Sequence, residues 1–256
     1  MTYQHLLPPF LLLFKRNFSQ LYHPRRKARV NVLLAKSSYP RSSSSPSMAA
    51  SSGQQPGIAF QDFHYFLVLD FEATCWENEK LKPQEIIEFP VLKISGKTFE
   101  VESEFHTYVE PQVHGISEFC TELTGITKDM VAGQPHLDEV LKTFNIWMVK
   151  EGLLENQTKS IFVTCGDWDL RTMLPGQCGY FKWPVASYFT QWINIKKAFA
   201  RVTGVYPKGM MPMLEHLGIQ HEGRHHSGID DCKNIAKILK ALAEKRFRFQ
   251  PTGANR

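Results

Sequence analysis

Two carboxylates, Asp70 and Glu72, close the run Phe66-Leu-Val-Leu-Asp70-Phe-Glu72-Ala-Thr-Cys75, and their spacing points to chemistry. On an extended chain, side chains two residues apart project to the same side, a few ångströms from one another. Like charges held that close beside an apolar core are unfavourable unless something cationic lies between them. A divalent metal ion with oxygen ligands is the simplest such partner. The competing reading is a solvated strand end that happens to be acidic.

A third acid breaks a pattern far along the chain. Asp231, Ile235, Ile238 and Leu242 share one helical face, so an acid leads an otherwise apolar stripe. Burying it alone would cost several kcal/mol unless a metal or hydrogen bonds compensate. Its neighbour Asp230 falls in line with Asn234 and Lys237 and reads as a solvated or capping residue. In Cys165-Gly-Asp167-Trp-Asp169, Gly166 permits a tight turn, Asp167 suits an N-cap, and Asp169 falls in the first helical turn, where the helix dipole favours an anion. Both can equally be plain helix-start carboxylates. His226, five residues before Asp231, can hang over the acidic face and take a proton from a metal-bound water near neutral pH. Zinc is the rival for this region, where His216, His221, His225, His226 and Cys232 cluster, but no C-x-x-C pair accompanies the His221 and His225 spacing to complete the usual ligand set.

These residues need elements to hold them. Four apolar residues in a row at 66–69 read as a strand buried on both faces, the mark of a parallel sheet covered by helices. Segments 85–94 and 98–105 bracket Ser95-Gly96-Lys97 and predict an antiparallel hairpin. Leu137, Val140, Leu141, Phe144 and Met148 predict an amphipathic helix, and Ser160–Thr164 a short buried strand. Helices are expected at 167–178, 191–202, 209–217 and 228–244. Strands first and helices later predict an α/β mixed sheet flanked by helices in a single domain.

Composition divides the chain. Residues 1–60 hold eight of the 30 Lys and Arg and none of the 25 Asp and Glu, so the remainder is slightly acidic despite the net charge of +5. A nucleic-acid partner would then be held by local contacts and stacking rather than by a global field. Arg25-Arg-Lys-Ala-Arg29 and the serine-rich stretch after Arg41 predict a transit peptide over residues 1–57, or a disordered basic tail. A folded domain over 58–249 and a C-terminal tail over 250–256 follow. A plastid address is expected before a mitochondrial one, or the cytoplasm if translation starts at Met48. The five cysteines lack paired spacing and fit a reducing compartment, and no membrane contact is expected.

In order along the chain, Asp70-Phe-Glu72-Ala-Thr, Glu85-Ile-Ile-Glu-Phe-Pro90, Ser117 to Thr127, Trp192-Ile-Asn-Ile-Lys196 and Gly223 to Ala236 resemble signatures of the histidine-containing DEDD superfamily of 3′-to-5′ exonucleases. The likeness is to its ERI-type exoribonucleases, as an organelle-targeted, plant-like member. It implies a ribonuclease-H-like fold with a mixed five-stranded sheet, and two Mg²⁺ ions, replaceable by Mn²⁺, roughly 4 Å apart. Asp70, Glu72, Asp169 and Asp231 would be the metal ligands and His226 the general base, releasing nucleoside 5′-monophosphates. Ala73 and Thr74 would line the nucleotide pocket, with Phe119 stacking on the terminal base and Leu123 beside it; packing in the core is the alternative for Phe119. Lys182, Lys196 and Lys197 are either phosphate contacts or ordinary surface lysines.

The implied activity is trimming of RNA 3′ ends by a monomer, with ribosomal RNA or small RNA as the target and the ribosome as a possible partner. The alternatives are a DNA or oligonucleotide exonuclease on the same scaffold, and a catalytically silent RNA- or ribosome-binding factor. Two departures from the family pattern stand out. Nothing in residues 1–60 could fold as the N-terminal helical module that some relatives carry, and His225 stands where relatives often have proline.

Overall fold

Strand β1 (Tyr65–Leu69) alternates Phe66 and Val68 into one core with Leu67 and Leu69 into another, which is why its apolar run is unbroken. The computed structural model describes residues 57–255; the expected transit segment lies outside the described residues, apart from residue 57. Strand β2 (Glu72–Ala73) continues from β1 along the same edge of β3 (Ile86–Ser95), and β4 (Val101–Tyr108) pairs with the other edge. On its far side β1 runs parallel to β5 (Ser160–Thr164), which is parallel to β6 (Gln191–Asn194). The two-residue β7 (Gly253–Ala254) closes that edge antiparallel. Five strands of four or more residues thus form the mixed sheet, with β2 and β7 as short additions among the described residues.

Helix α3 (Leu137–Lys150) and helix α4 (Leu174–Phe181) cover one face, where Val140, Phe144, Met148 and Leu174 meet Leu69, Phe89 and Phe162. The other face lies under α5 (Ile195–Thr203), α6 (Met210–Leu217) and α7 (Gly228–Glu244), whose Ile235, Ile238 and Leu242 are fully buried on the expected stripe. A small third cluster, Ile116, Cys120, Ile126 and Val131, seats α1 (Glu118–Thr124) and α2 (Lys128–Val131) against Ile87. No helix among the described residues is long and apolar enough to cross a membrane.

Several boundaries differ from expectation. The helix expected over 191–202 starts at Ile195, because Trp192 and Ile193 are buried on opposite faces as a strand and Asn194 caps the helix through Lys196 N. The second hairpin strand begins at Val101, since Phe99 takes a left-handed φ of 59° to turn into the core. The stretch expected as a C-terminal tail is instead part of the sheet. Thr252 N donates to Trp192 O at 3.0 Å, Thr252 Oγ1 accepts from Asn194 N at 2.8 Å, and Asn255 N donates to Thr190 O at 2.9 Å.

Candidate active site

Parallel strands β1 and β5 are neighbours, so their carboxyl ends lie side by side, the usual place for a ligand crevice in an α/β sheet. Asp70 leaves the end of β1. Beyond β5, Thr164 Oγ1 donates to Gly166 O at 2.7 Å, and the chain turns into a π-helical stretch that begins with Asp169. Phe71 N donates to Asp169 Oδ1 at 3.0 Å, which ties the two strand ends together. The expected N-cap, Asp167, turns away: it accepts from Trp192 Nε1 and from Lys197 Nζ, both at 2.9 Å.

Helix α7 brings the next acid. A β-carbon on Gly228 would lie 2.6 Å from Asp70 O, so only glycine lets the helix start this close to β1. Glu88, 1% exposed in the middle of β3, accepts from Gly228 N at 2.9 Å and Ile229 N at 3.1 Å and so caps the helix from across the sheet. Its Oε1 also lies 2.8 Å from His106 Nε2. Asp231 sits in the first turn of α7, 3% exposed, and its Oδ2 accepts from His226 N at 3.0 Å. His226 has φ of 65°, a left-handed conformation uncommon for histidine that holds its ring beside that of His225, with centroids 4.0 Å apart. Donor atoms of Glu72, His226 and Asp231 all lie within 4.8 Å of one another.

Asp70, Glu72, Asp169, Asp231 and His226 line one cleft of about 430 Å³, together with Ala73, Leu123, Trp168, Met211 and His225. No lysine or arginine is among the described residues lining it. Without a cation, burial raises all four acids, and repulsion between neighbours adds to it at Asp70 and Glu72. Glu72 is pushed to about 9 by burial and by Glu88, Asp231 and Asp169. Burial lifts Asp169 to about 6 against the hydrogen bond from Phe71, Asp70 is raised well above its usual value, and Asp231 is raised too. Burial lowers His226, with His225 adding to the effect, so its imidazole is neutral at neutral pH.

Other expectations fare unevenly. Asp230 faces away, accepting from Arg224 N and Lys233 Nζ, as its helical position implied. Its companion Asn234 is fully buried rather than on a polar face, because the loop at Glu222 covers it and exchanges two hydrogen bonds with its amide. Thr74 is fully buried and does not line the cleft; its N–H donates to Glu85 O and its carbonyl accepts from Gln84 Nε2. Phe119 is outside the cleft lining but 36% exposed, one helical turn before Leu123, so it is not the core residue its apolar neighbours allowed. Lys197 is committed to Asp167 and Thr252 O, Lys196 to Lys208 O, and Lys182 caps α4; none lines the cleft. Trp168, 41% exposed in the cleft wall, and Glu88 escaped the sequence reading. The signal for Glu88 was there: a carboxylate inside a strand too apolar to face water.

Residues 67–239 match the exonuclease family RNase_T. ERI1 exoribonuclease 3 of Bos taurus is 58% identical over 208 residues, covering 80% of this chain and 61% of that protein. Its namesake in Homo sapiens is 60% identical over 194 residues, covering 75% and 57%. The nuclease domain of 3′hExo, a DEDDh family member solved bound to rAMP, superposes with a TM-score of 0.72 at 35% identity, over 76% of this chain and 98% of that one. The chain belongs to the ERI1-type DEDDh exonuclease family. It spans about 60% of the length of these curated relatives. DEDDh exonucleases depend on divalent metal ions. The donor set here fits them: the buried carboxylates of Glu72, Asp169 and Asp231 converge with the half-buried Asp70, with no cationic side chain among the described residues in the lining, a hard-oxygen site whose charge a divalent cation would balance.

Proposed function

We propose that the chain is a divalent-metal-dependent 3′-to-5′ exonuclease that removes nucleoside 5′-monophosphates from RNA ends. The observation that carries this reading is the convergence of Asp70, Glu72, Asp169 and Asp231 with His226 in one cleft. Asp70, Glu72, Asp169 and Asp231 are the residues to hold two Mg²⁺ ions, with Mn²⁺ able to replace them. When bound, such a pair stabilises the charge that builds on the phosphate and makes a water acidic enough to attack it. His226, neutral at working pH and within 4.8 Å of Glu72 and Asp231, accepts the proton that this water loses. Glu88 and Gly228 set where α7 delivers Asp231 and His226. Trp168 and Leu123 offer apolar surface in the cleft wall for the terminal base, and Ala73 borders it. The rAMP held by the 3′hExo domain supports a ribonucleotide end rather than a deoxyribonucleotide one.

The test is a time course on 5′-labelled and 3′-labelled RNA, with a matched DNA, in magnesium and in chelator. Stepwise shortening from the 3′ end with mononucleotide release, abolished by chelator, is the expected result. RNA binding without mononucleotide release would overturn it in favour of a silent binding factor, and equal turnover of DNA would overturn the RNA preference.

Organelle delivery, to a plastid before a mitochondrion, is part of the same proposal, supported by the basic, acid-free composition of residues 1–60. Ribosomal precursors would then be the RNA trimmed, by a monomer. A fluorescent protein carrying residues 1–57 should enter the organelle, and retention in the cytosol would remove this part.

A further inference from the structure

A second donor set of different chemistry shares His225 and Asp231 with the oxygen-rich cleft and adds His221 from outside its lining. Donor atoms of His221, His225 and Asp231 all fall within 4.8 Å of one another. His225 Nδ1 is 3.2 Å from Asp231 Oδ2 and 3.3 Å from Oδ1. The His221 and His225 rings stand at 78° with centroids 6.1 Å apart, and His221 Nε2 is buried with no hydrogen-bond partner among the described residues. A buried ring nitrogen without a partner is uncommon and asks for one.

We propose that His221, His225 and Asp231 form a second cation site, selective for a borderline transition ion of the Zn²⁺ class, whose occupation draws Asp231 out of the magnesium centre. A tetrahedral ion with bonds of about 2.0–2.1 Å holds its ligand atoms about 3.4 Å apart. The His225–Asp231 edge is already at that spacing. The remaining edges need to close by no more than about 1.5 Å from the 4.8 Å limit, which His221 can supply from a loop that turns at Gly223 with φ of 76°. Two imidazoles and one carboxylate suit Zn²⁺ or Co²⁺ and suit Mg²⁺ poorly, because magnesium prefers oxygen and keeps its waters. The fourth position is left for water.

Asp231 belongs to both sets, and this gives the site its consequence. The inhibitory effect rests on the exonuclease reading above, whereas the site itself does not. An ion held between the two imidazoles and Asp231 takes the carboxylate that the cleft uses, so Zn²⁺ acts as an inhibitor at concentrations far below that of magnesium.

The test uses the full chain in millimolar magnesium, with Co²⁺ and Zn²⁺ as probes. Wild type should bind one equivalent of Co²⁺ with the intense visible bands of tetrahedral coordination, and Zn²⁺ should bleach them. His221→Asn should weaken Co²⁺ binding by at least about tenfold and raise the inhibitory Zn²⁺ concentration by a similar factor, while hydrolysis in magnesium alone is unchanged. Anomalous scattering at the zinc edge from wild-type crystals gives a readout that needs no variant: a peak among His221, His225 and Asp231 is expected. A peak only among Asp70, Glu72 and Asp169, or tetrahedral bands identical in wild type and His221→Asn, would overturn the proposal. Should the chain hydrolyse no RNA at all, the activity reading fails, and the cobalt bands still decide this site.

Discussion

Removing the divalent ions should make this protein lose stability as pH rises from 6 to 8, the reverse of what most carboxylates do. Glu72 stands at about 9 in the folded chain against an ordinary 4.5. A carboxyl raised in the folded state contributes stability that is complete below its unfolded pKa and is lost progressively until the folded pKa is passed. Between pH 6 and 8 the folded state therefore holds a proton that the unfolded chain has released, at about 1.4 kcal/mol per pH unit, or about 3 kcal/mol in all. For a domain of this size that is a fall in Tm of about 5–10 °C. Asp169, at about 6, adds to the loss mostly below pH 7, and Asp70, which Glu72 helps to hold up, adds in the same direction. Mg²⁺ or Mn²⁺ should reverse the trend, because an ion that binds only the folded, deprotonated cluster stabilises it by about 2.7 kcal/mol at a hundredfold excess over Kd. The assay is thermal unfolding of the full chain at three pH values, in chelator and in each ion. Glu72→Gln should flatten the chelator profile by about one proton's worth and shrink the gain from metal. A flat profile for wild type in chelator, or an unchanged slope in Glu72→Gln, would refute the claim that burial and its acidic neighbours hold the Glu72 carboxyl protonated in the folded chain.

Three further outcomes are expected. His226→Ala should lower kcat by about 10²–10⁴ while metal still raises Tm; and because burial lowers His226, the wild-type rate should hold to below pH 6.5 before it falls, as a pH–rate profile would reveal. Asp231→Asn should abolish hydrolysis and weaken metal binding, whereas Asp230→Asn, which disturbs only Arg224 N and Lys233, should be mild in the same assays; equal damage would contradict the placement of α7. Glu88→Ala strands the N–H groups of Gly228 and Ile229 and should cost about 1–3 kcal/mol in chelator by denaturant titration, together with a rise in the metal concentration needed for activity.

Where burial is decided by local period, the chain could be read directly. Phe66 to Leu69 is apolar without a break because both faces of β1 are covered, and Asp231 could be told from Asp230 because only one of them shares a stripe with Ile235 and Ile238. Reading failed where a distant partner decides the local state. Trp192 and Ile193 fit helix or strand equally, and the deciding neighbours are β5 on one side and Thr252 with Gly253 on the other. Residues 250–255 look like a polar tail until Asn194 N finds Thr252 Oγ1 and Leu170 O finds the Asn255 amide. Helices α1 and α2, seven and four residues long, are too short to show a period and depend on Ser117 and Thr127 as caps.

Strand β3 holds the least legible part of the site, and its physics runs through its charges. All ten of its residues are buried, yet Glu88 and Lys93 lie among them. A charge inside such a strand must be answered from outside it: Lys93 meets Glu151 at 3.2 Å, and Glu88 takes the first two N–H groups of α7. Glu85, just before the strand and fully buried, does the same for the loop at Gln112 to His114 through four hydrogen bonds. Each acid fixes a segment far away in sequence, and the segment fixed by Glu88 is the one that carries His226 and Asp231. Glu72 pairs directly across from Glu88, so the carboxylate that positions the helix also raises the one that faces the cleft. Holding α7 in place and charging the cleft are thus one electrostatic arrangement, which a cation in the cleft would relieve from one side and α7 already relieves from the other.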